Sequence, residues 1–136
     1  MVSHLPFKWS VRIYFEDTDS GGVVYHSNYL KFMERARTEW LRSLELNQAD
    51  LKKKDKIMFV VANVNIDYKK AARFNDELDI ETSLDKIGAS KVDLTQNIMK
   101  NSELYTSAKV SIACIHSETF KPQRIPKLIK QQMEIL

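Results

Sequence analysis

Cysteine is almost absent: the 136-residue chain has one, Cys114, set within an apolar strand pattern. A lone cysteine excludes a disulfide within the chain and a cysteine-based metal site, and it reads as a small buried hydrophobe. Long apolar runs are missing as well. The most apolar stretch, Ile57 to Val64, is far too short to cross a bilayer, so no integral membrane segment is expected. The N-terminal MVSHLPFKW has no signal-peptide core, which leads to the expectation of a cytoplasmic protein. Charge of one sign is scarcely in excess, with 21 Lys and Arg against 18 Asp and Glu for a net charge of +3. That surplus is too small to indicate nucleic acid as a partner, although a small polyanionic ligand would suit it. No linker, repeat or low-complexity segment divides the chain.

What remains is an ordinary globular composition, 43% hydrophobic and 29% charged. It is expected to form one domain over 1–136, burying roughly two thirds of its unfolded surface. Period-two alternation predicts five strands. The first is Trp9 to Phe15, with Trp9, Val11, Ile13 and Phe15 inward. The second has Met58, Val60, Ala62, Val64, Ile66 and Tyr68 on one face. The third has Leu78, Ile80, Thr82 and Leu84; the fourth Val92, Leu94 and Ile98; the fifth Leu104, Ala108, Val110, Ile112 and Cys114. Turns are expected at Gly88 and at Lys100 to Glu103.

A long helix is predicted from about Asn28 to Leu44, capped by Ser27 or Asn28, with Tyr29, Phe32, Met33, Ala36, Trp40 and Leu44 on one side. Arg37 falls on that side and needs a partner there. Asn47 should cap a short helix ending in Lys52 to Lys54, and Pro126 should open a last one. The sum is an α+β layout, one long helix on a five-stranded, mainly antiparallel sheet. Phe59, Val61, Tyr105 and Ile115 on the other sheet face, together with an unpaired edge strand, point to a homo-oligomer joined edge to edge.

The most informative stretch is FEDTDSGGVVYHSNYLKF, Phe15 to Phe32. A strand leads into an acidic loop, the loop passes Gly21 and Gly22, and a helix then begins near His26. A carboxylate is thereby placed close to the unpaired N–H groups and partial positive charge of a helix start. A carboxylate beside such donors can direct water at a carbonyl whose oxygen they hold.

With Glu34-Arg35-Ala36-Arg37-Thr38-Glu39, Asp67-Tyr68, Ala71-Ala72, Asn75-Asp76 and Lys121-Pro122, that stretch closely resembles the 4-hydroxybenzoyl-CoA thioesterase type of hotdog-fold enzyme. It is most similar to the acyl-CoA thioesterases encoded with the Tol-Pal envelope system. The resemblance implies a hotdog fold, with the sheet wrapped around the helix, and a homodimer or homotetramer with active sites between subunits. It also implies hydrolysis of acyl-CoA, or of acyl carrier protein thioesters, without a metal or other cofactor. The family's catalytic aspartate falls on Asp19 and its main-chain oxyanion donor on His26, whose side chain is also thought to take part. Phe15 stands where these enzymes commonly carry a tyrosine, and strand alternation would turn Tyr14 to the other face.

Asp19 would act as general base or as nucleophile, while Asp17 reads as structural, the partner of an arginine. Gly22 and Tyr25, with His26, would form the oxyanion and substrate-binding group; the missing Cβ of Gly22 would let the thioester approach. Glu34 should pair with Arg37 or Arg35. Arg73, Ser90 and Lys91, with Lys69, Lys70 and Lys86, are candidates for the CoA phosphates, and Tyr29, Met33 and Phe59 for the acyl tunnel. His4 and His116 receive no role. The alternatives are a dehydratase-like enzyme pairing His26 with Glu34, a non-catalytic acyl-thioester-binding protein in a lipid or envelope complex, and, more remotely, a metal hydrolase using Asp17, Asp19 and His26.

Overall fold

The computed structural model describes residues 6–134, so His4 lies outside the described residues. Strands β1 (Phe7–Arg12), β2 (Ile57–Tyr68), β3 (Glu77–Ile87), β4 (Lys91–Lys100) and β5 (Glu103–His116) form one sheet in the order β1-β3-β4-β5-β2. Each neighbouring pair is antiparallel. Helix α1 (His26–Ser43) packs on one face, α2 (Gln48–Asp50) runs on into a π turn over Leu51–Asp55, and α3 (Lys127–Glu134) closes the described chain. Asn101 and Ser102 both have positive φ, which gives the β4–β5 hairpin the backbone twist that suits a two-residue turn.

The helix places the expected stripe inward: Tyr29, Phe32, Met33, Ala36, Trp40 and Leu41 are buried against Leu78, Ile80, Leu94 and Ile98. Positions three and four apart share one side of a helix, so this face follows directly from the sequence. Met33 is sealed in the core rather than lining an open tunnel.

Two strands break the expected alternation. In β2, Val61 pairs with Ile112 and Asn63 with Ser111, which leaves Ala62 as an extra residue. Before this bulge Ile57 and Phe59 point inward; after it Val64 and Ile66 do, opposite Val110 and Ala108. A single inserted residue exchanges the faces of everything beyond it. Likewise Ile98 pairs with Thr106 but Met99 with Leu104, so Tyr105 is extra and becomes buried. Phe59 and Tyr105 therefore belong to the core and do not form an outer apolar face, while Val61 stays 47% exposed on the β2 edge.

Strand β1 is also shorter than expected. It ends at Arg12, and Phe15 enters a 3-10 turn (Phe15–Asp17) where it is 78% exposed. Tyr14 is exposed beside it. Neither lies in the strand, so alternation does not separate them.

The middle of α1 is anchored by one buried glutamine. Gln96 Nε2 donates to the Met33 carbonyl and to Thr82 Oγ1, both at 3.0 Å, and its Oε1 accepts from Arg37 Nη1 at 2.8 Å. Every polar atom of this side chain is satisfied, which makes its burial tolerable. Arg37 thus finds a partner other than Glu34. The Glu34 carboxylate accepts instead from Thr38 Oγ1 at 3.2 Å, and among the described residues it has no ion pair with Arg37 or Arg35. Burial pushes the Arg37 guanidinium below its ordinary range, and the nearby Glu34 charge opposes that shift.

Asn47 caps α2 as expected, accepting from the Ala49 N–H at 2.8 Å. Pro126 lies one residue before α3 rather than within it, with its carbonyl accepting from the Lys130 N–H.

Candidate active site

Between β1 and α1 the chain forms two successive turns. The first is the 3-10 turn. Asp17 Oδ2 accepts from the Tyr14 N–H at 2.8 Å, and Thr18 Oγ1 donates to the Phe15 carbonyl at 2.7 Å. Asp17 is structural, as expected, but its partner is a main-chain N–H and not an arginine. Its carbonyl accepts from the Tyr25 N–H at 3.1 Å and from Asn28 Nδ2 at 2.9 Å. The second turn is a tight hairpin in which Thr18 faces Val24 and the Asp19 N–H donates to the Val23 carbonyl at 2.9 Å.

The two glycines differ in purpose. Gly22 has φ +81° with open space where a Cβ would stand, so the backbone angle, not crowding, selects glycine there. At Gly21 a Cβ would lie 3.2 Å from Asp19 Oδ1. That oxygen accepts from the Gly21 N–H at 2.8 Å. Gly21 therefore holds the Asp19 carboxylate and leaves it room, a part the sequence pattern did not assign. Asp19 is exposed, and its Oδ2 makes no hydrogen bond among the described residues.

The helix begins two residues earlier than the sequence pattern indicates. Tyr25 is the cap, without a side-chain cap bond, and His26 is the first helical residue. Asn28 is not the cap. It sits in the first turn with its side chain reaching back to Asp17, tying helix to loop. The Asn28 N–H donates to the Tyr25 carbonyl at 2.9 Å, whereas the His26 N–H has no acceptor within the helix. No acidic residue occupies the first turn, so the positive end of the helix is not offset by its own side chains.

The His26 ring stacks on Tyr68, with centroids 4.6 Å apart, beside a pocket of about 210 Å³ lined by Val23, Tyr29, Lys69 and Lys70. Phe15 packs edge-on against Phe74 at 5.7 Å, and with Tyr14 and Tyr25 these exposed rings surround the loop.

The remaining candidates are distributed unevenly. Arg73 pairs with Val23, directly beside the hairpin. Lys69 and Lys70 are near but bound to Asp67 and Glu103. Ser90 and Lys91, with Lys86, lie at the opposite end of β3 and β4. The span of β3 alone, about 3.3 Å per residue, puts roughly 30 Å between them and the loop within one chain. Glu34 is eight residues along α1 from His26, about 12 Å at 1.5 Å per residue, so one chain does not pair them. Glu34, Arg37, Phe59 and Val61 instead line a separate cavity of about 430 Å³ against the β2 edge. Among the described residues no three His, Cys, Asp or Glu side chains are grouped to hold a metal ion, and Asp17 is already engaged by the Tyr14 N–H. His116 Nδ1 accepts from the Glu118 N–H at 3.1 Å, a local turn bond.

Comparison with known proteins shows the family and the fold. The model of the Thioesterase-like superfamily matches residues 13–133. An acyl-CoA thioesterase YbgC from Haemophilus influenzae is 42% identical over 124 residues, covering 91% of this chain and 91% of that protein. An acyl-CoA thioester hydrolase YbgC from Escherichia coli O6:H1 is 40% identical, covering 90% and 92%. The crystal structure of a probable thioesterase from Bartonella henselae superposes with a TM-score of 0.84 at 35% identity, over 89% of this chain and 99% of that one. The expected α+β hotdog layout is borne out.

Proposed function

The chain belongs to the thioesterase-like superfamily, is an acyl-CoA thioester hydrolase, and, we propose, uses Asp19 as its general base or nucleophile and the start of α1 as its oxyanion hole. The observation that carries this reading is the tight hairpin itself. It holds one oxygen of Asp19 on the Gly21 N–H, leaves the other without a hydrogen bond among the described residues, and ends two residues before a helix whose first N–H has no acceptor among those residues. As base, Asp19 takes a proton from water, whose oxygen attacks the thioester carbon. The His26 N–H holds the oxyanion, the C–S bond breaks, and the thiolate leaves with a proton. As nucleophile, the carboxylate attacks first to form an anhydride that water then opens. Removal of one such oxyanion donor typically costs about 3–4 kcal/mol. The His26 imidazole, beside the same helix start, is placed to hydrogen-bond substrate or to protonate the thiolate. The reaction so written needs no metal or other cofactor.

The working unit we propose is a homodimer paired along β2. This strand is a sheet edge, 12 residues long, with Val61 exposed. Unpaired edges of that length are normally covered. Antiparallel pairing of two β2 strands would bring the partner's β3–β4 turn, with Ser90 and Lys91, toward the end where Tyr68, His26 and Arg73 lie. CoA phosphates would then meet Arg73 of one chain and the distant turn of the other. An acyl-CoA substrate supports a cytoplasmic site of action, and the resemblance to the Tol-Pal-associated members supports an envelope-linked role, with acyl carrier protein as a further thioester donor.

The test is release of free thiol from a panel of acyl-CoAs of increasing chain length, followed with a thiol reagent. Steady release with saturation is expected. Hydration of an enoyl-CoA with no thiol released would replace this reading with the dehydratase-like one, and tight binding without turnover would replace it with the binding protein.

A further inference from the structure

The end of β2 meets the start of α1 through one residue, Tyr68, to which neither the loop motif nor the resemblance gives a role. Its ring lies on the His26 imidazole, 4.6 Å between centroids and 22° between planes. Its hydroxyl donates to the His26 carbonyl at 3.2 Å. Tyr29 meets the same ring edge-on at 5.4 Å. Tyr29 is in turn anchored, its hydroxyl accepting from the Ala72 N–H at 2.9 Å. A brace thus runs from the buried core through two phenols to the first helical residue. Burial raises both phenols above their ordinary value, so both stay protonated and the Tyr68 hydroxyl stays a donor.

The backbone explains why such a brace matters. The peptide group that carries the His26 N–H is held on its carbonyl side, where Tyr25 O accepts from the Asn28 N–H. The next peptide group carries the His26 carbonyl and the Ser27 N–H, and it is the one Tyr68 holds. Two consecutive peptide planes, each presenting an N–H at the open end of the helix, are therefore fixed in direction. Helix ends fray unless something holds them. A donor that must meet a developing oxyanion acts best when its direction is set beforehand.

We infer that Tyr68 is a positioning residue for the thioester site: by stacking on the His26 ring and holding the His26 carbonyl, it sets the direction of the helix-start donors and of the imidazole. This inference rests on the proposed role of His26. The side chain reaches the site only because the Ala62 bulge brings the later half of β2 into the phase that faces α1.

Two variants test it, read by kinetics and by NMR of the His26 ring. Tyr68→Leu removes ring and hydroxyl, and kcat should fall on the order of 10–100-fold, with KM changing less than about threefold, as for a small misplacement of reacting groups. The His26 ring signals should lose the displacement imposed by the stacked ring. Tyr68→Phe keeps the ring, so those signals should persist while kcat falls by about 3–10-fold, the scale of one lost hydrogen bond. A folded Leu variant with wild-type kcat, or one that raises KM alone, overturns the inference. Should the Leu variant fold poorly, unchanged kcat in the Phe variant overturns the carbonyl hold. If the wild-type protein releases no thiol at all, the hydrolase reading fails, while the ring signals in the same variants still decide whether Tyr68 holds His26.

Discussion

Asp17 and Asp19 stand two residues apart in one loop, yet their surroundings have little in common. The Asp17 turn is closed: its carboxylate accepts from the Tyr14 N–H and its carbonyl takes two further donors, from Tyr25 and Asn28. The Asp19 hairpin is open: one carboxylate oxygen is held by the Gly21 N–H of the same hairpin, and the other makes no hydrogen bond among the described residues on an exposed side chain. A D-x-D pair read as text offers two equal candidates. The difference teaches that a half-buried carboxylate tied into the loop builds the turn that presents an exposed one. Each carboxylate has one oxygen on one main-chain N–H. The Asp17 side chain, however, is half-buried in a turn tied to α1 by Tyr25 and Asn28, whereas the Asp19 side chain is exposed, oriented and able to reach water.

The widest gap between the two should appear on neutralising each. Asp19→Asn should lower kcat by about 100-fold or more with the melting temperature unchanged, the usual scale of a general base. Asp17→Asn should lower the melting temperature and cost about 1 kcal/mol, as for a lost cap-like bond, with a smaller fall in kcat. Thermal melts and thiol release on both variants check this. If Asp17→Asn proves the more damaging to turnover at equal stability, the two roles are reversed.

The glycines sharpen the same contrast. Gly22→Ala should destabilise by about 1–2 kcal/mol, since an alanine there must adopt positive φ. Gly21→Ala should leave stability nearer wild type but lower kcat, because its Cβ crowds the Asp19 oxygen. Denaturant melts beside kcat separate the two effects.

A smaller effect is expected at Phe15. Phe15→Tyr should change kcat by less than about threefold, within the range of one exposed hydrogen bond, because this side chain leans on Phe74 outside the strand. A larger gain would show that the hydroxyl usual in the family serves this site too.

The smallest signal tests the closed core. Burial pushes the Cys114 thiol up to about 11, so the native chain should not react with a thiol reagent near pH 8. The folded value exceeds the unfolded one near 9, so the stability contributed by the protonated thiol is complete below pH 9. It declines as pH rises toward 11, which melts across that window would register.

Much of this was legible in the sequence. The inward face of α1, the five strands and the loop joining Asp19 to the helix start all depend on neighbours within a few positions, where local periodicity and turn chemistry act. The Phe15–Phe32 stretch together with Glu34 to Glu39 was specific enough to point to the superfamily that the comparisons then bore out. Other features were not legible because no local signal marks them. Ala62 and Tyr105 look like ordinary strand residues, yet each is the extra residue of a bulge, and each moves its neighbours to the opposite face. Phe59 consequently belongs to the core, and Tyr68 turns toward His26.

By itself the sequence determined which segments form helix and strand, which helix face is buried, and where a carboxylate comes close to a helix start, because those outcomes follow from short-range sterics and burial. Tertiary structure alone decided that Gln96 would hold Arg37, that Asn28 would secure the Asp17 carbonyl, and that Tyr68 would brace His26. Such partners lie 11 to 59 residues apart: strand register across the sheet brings Gln96 and Tyr68 to α1, and the hairpin that pairs Thr18 with Val24 brings Asn28 back to Asp17.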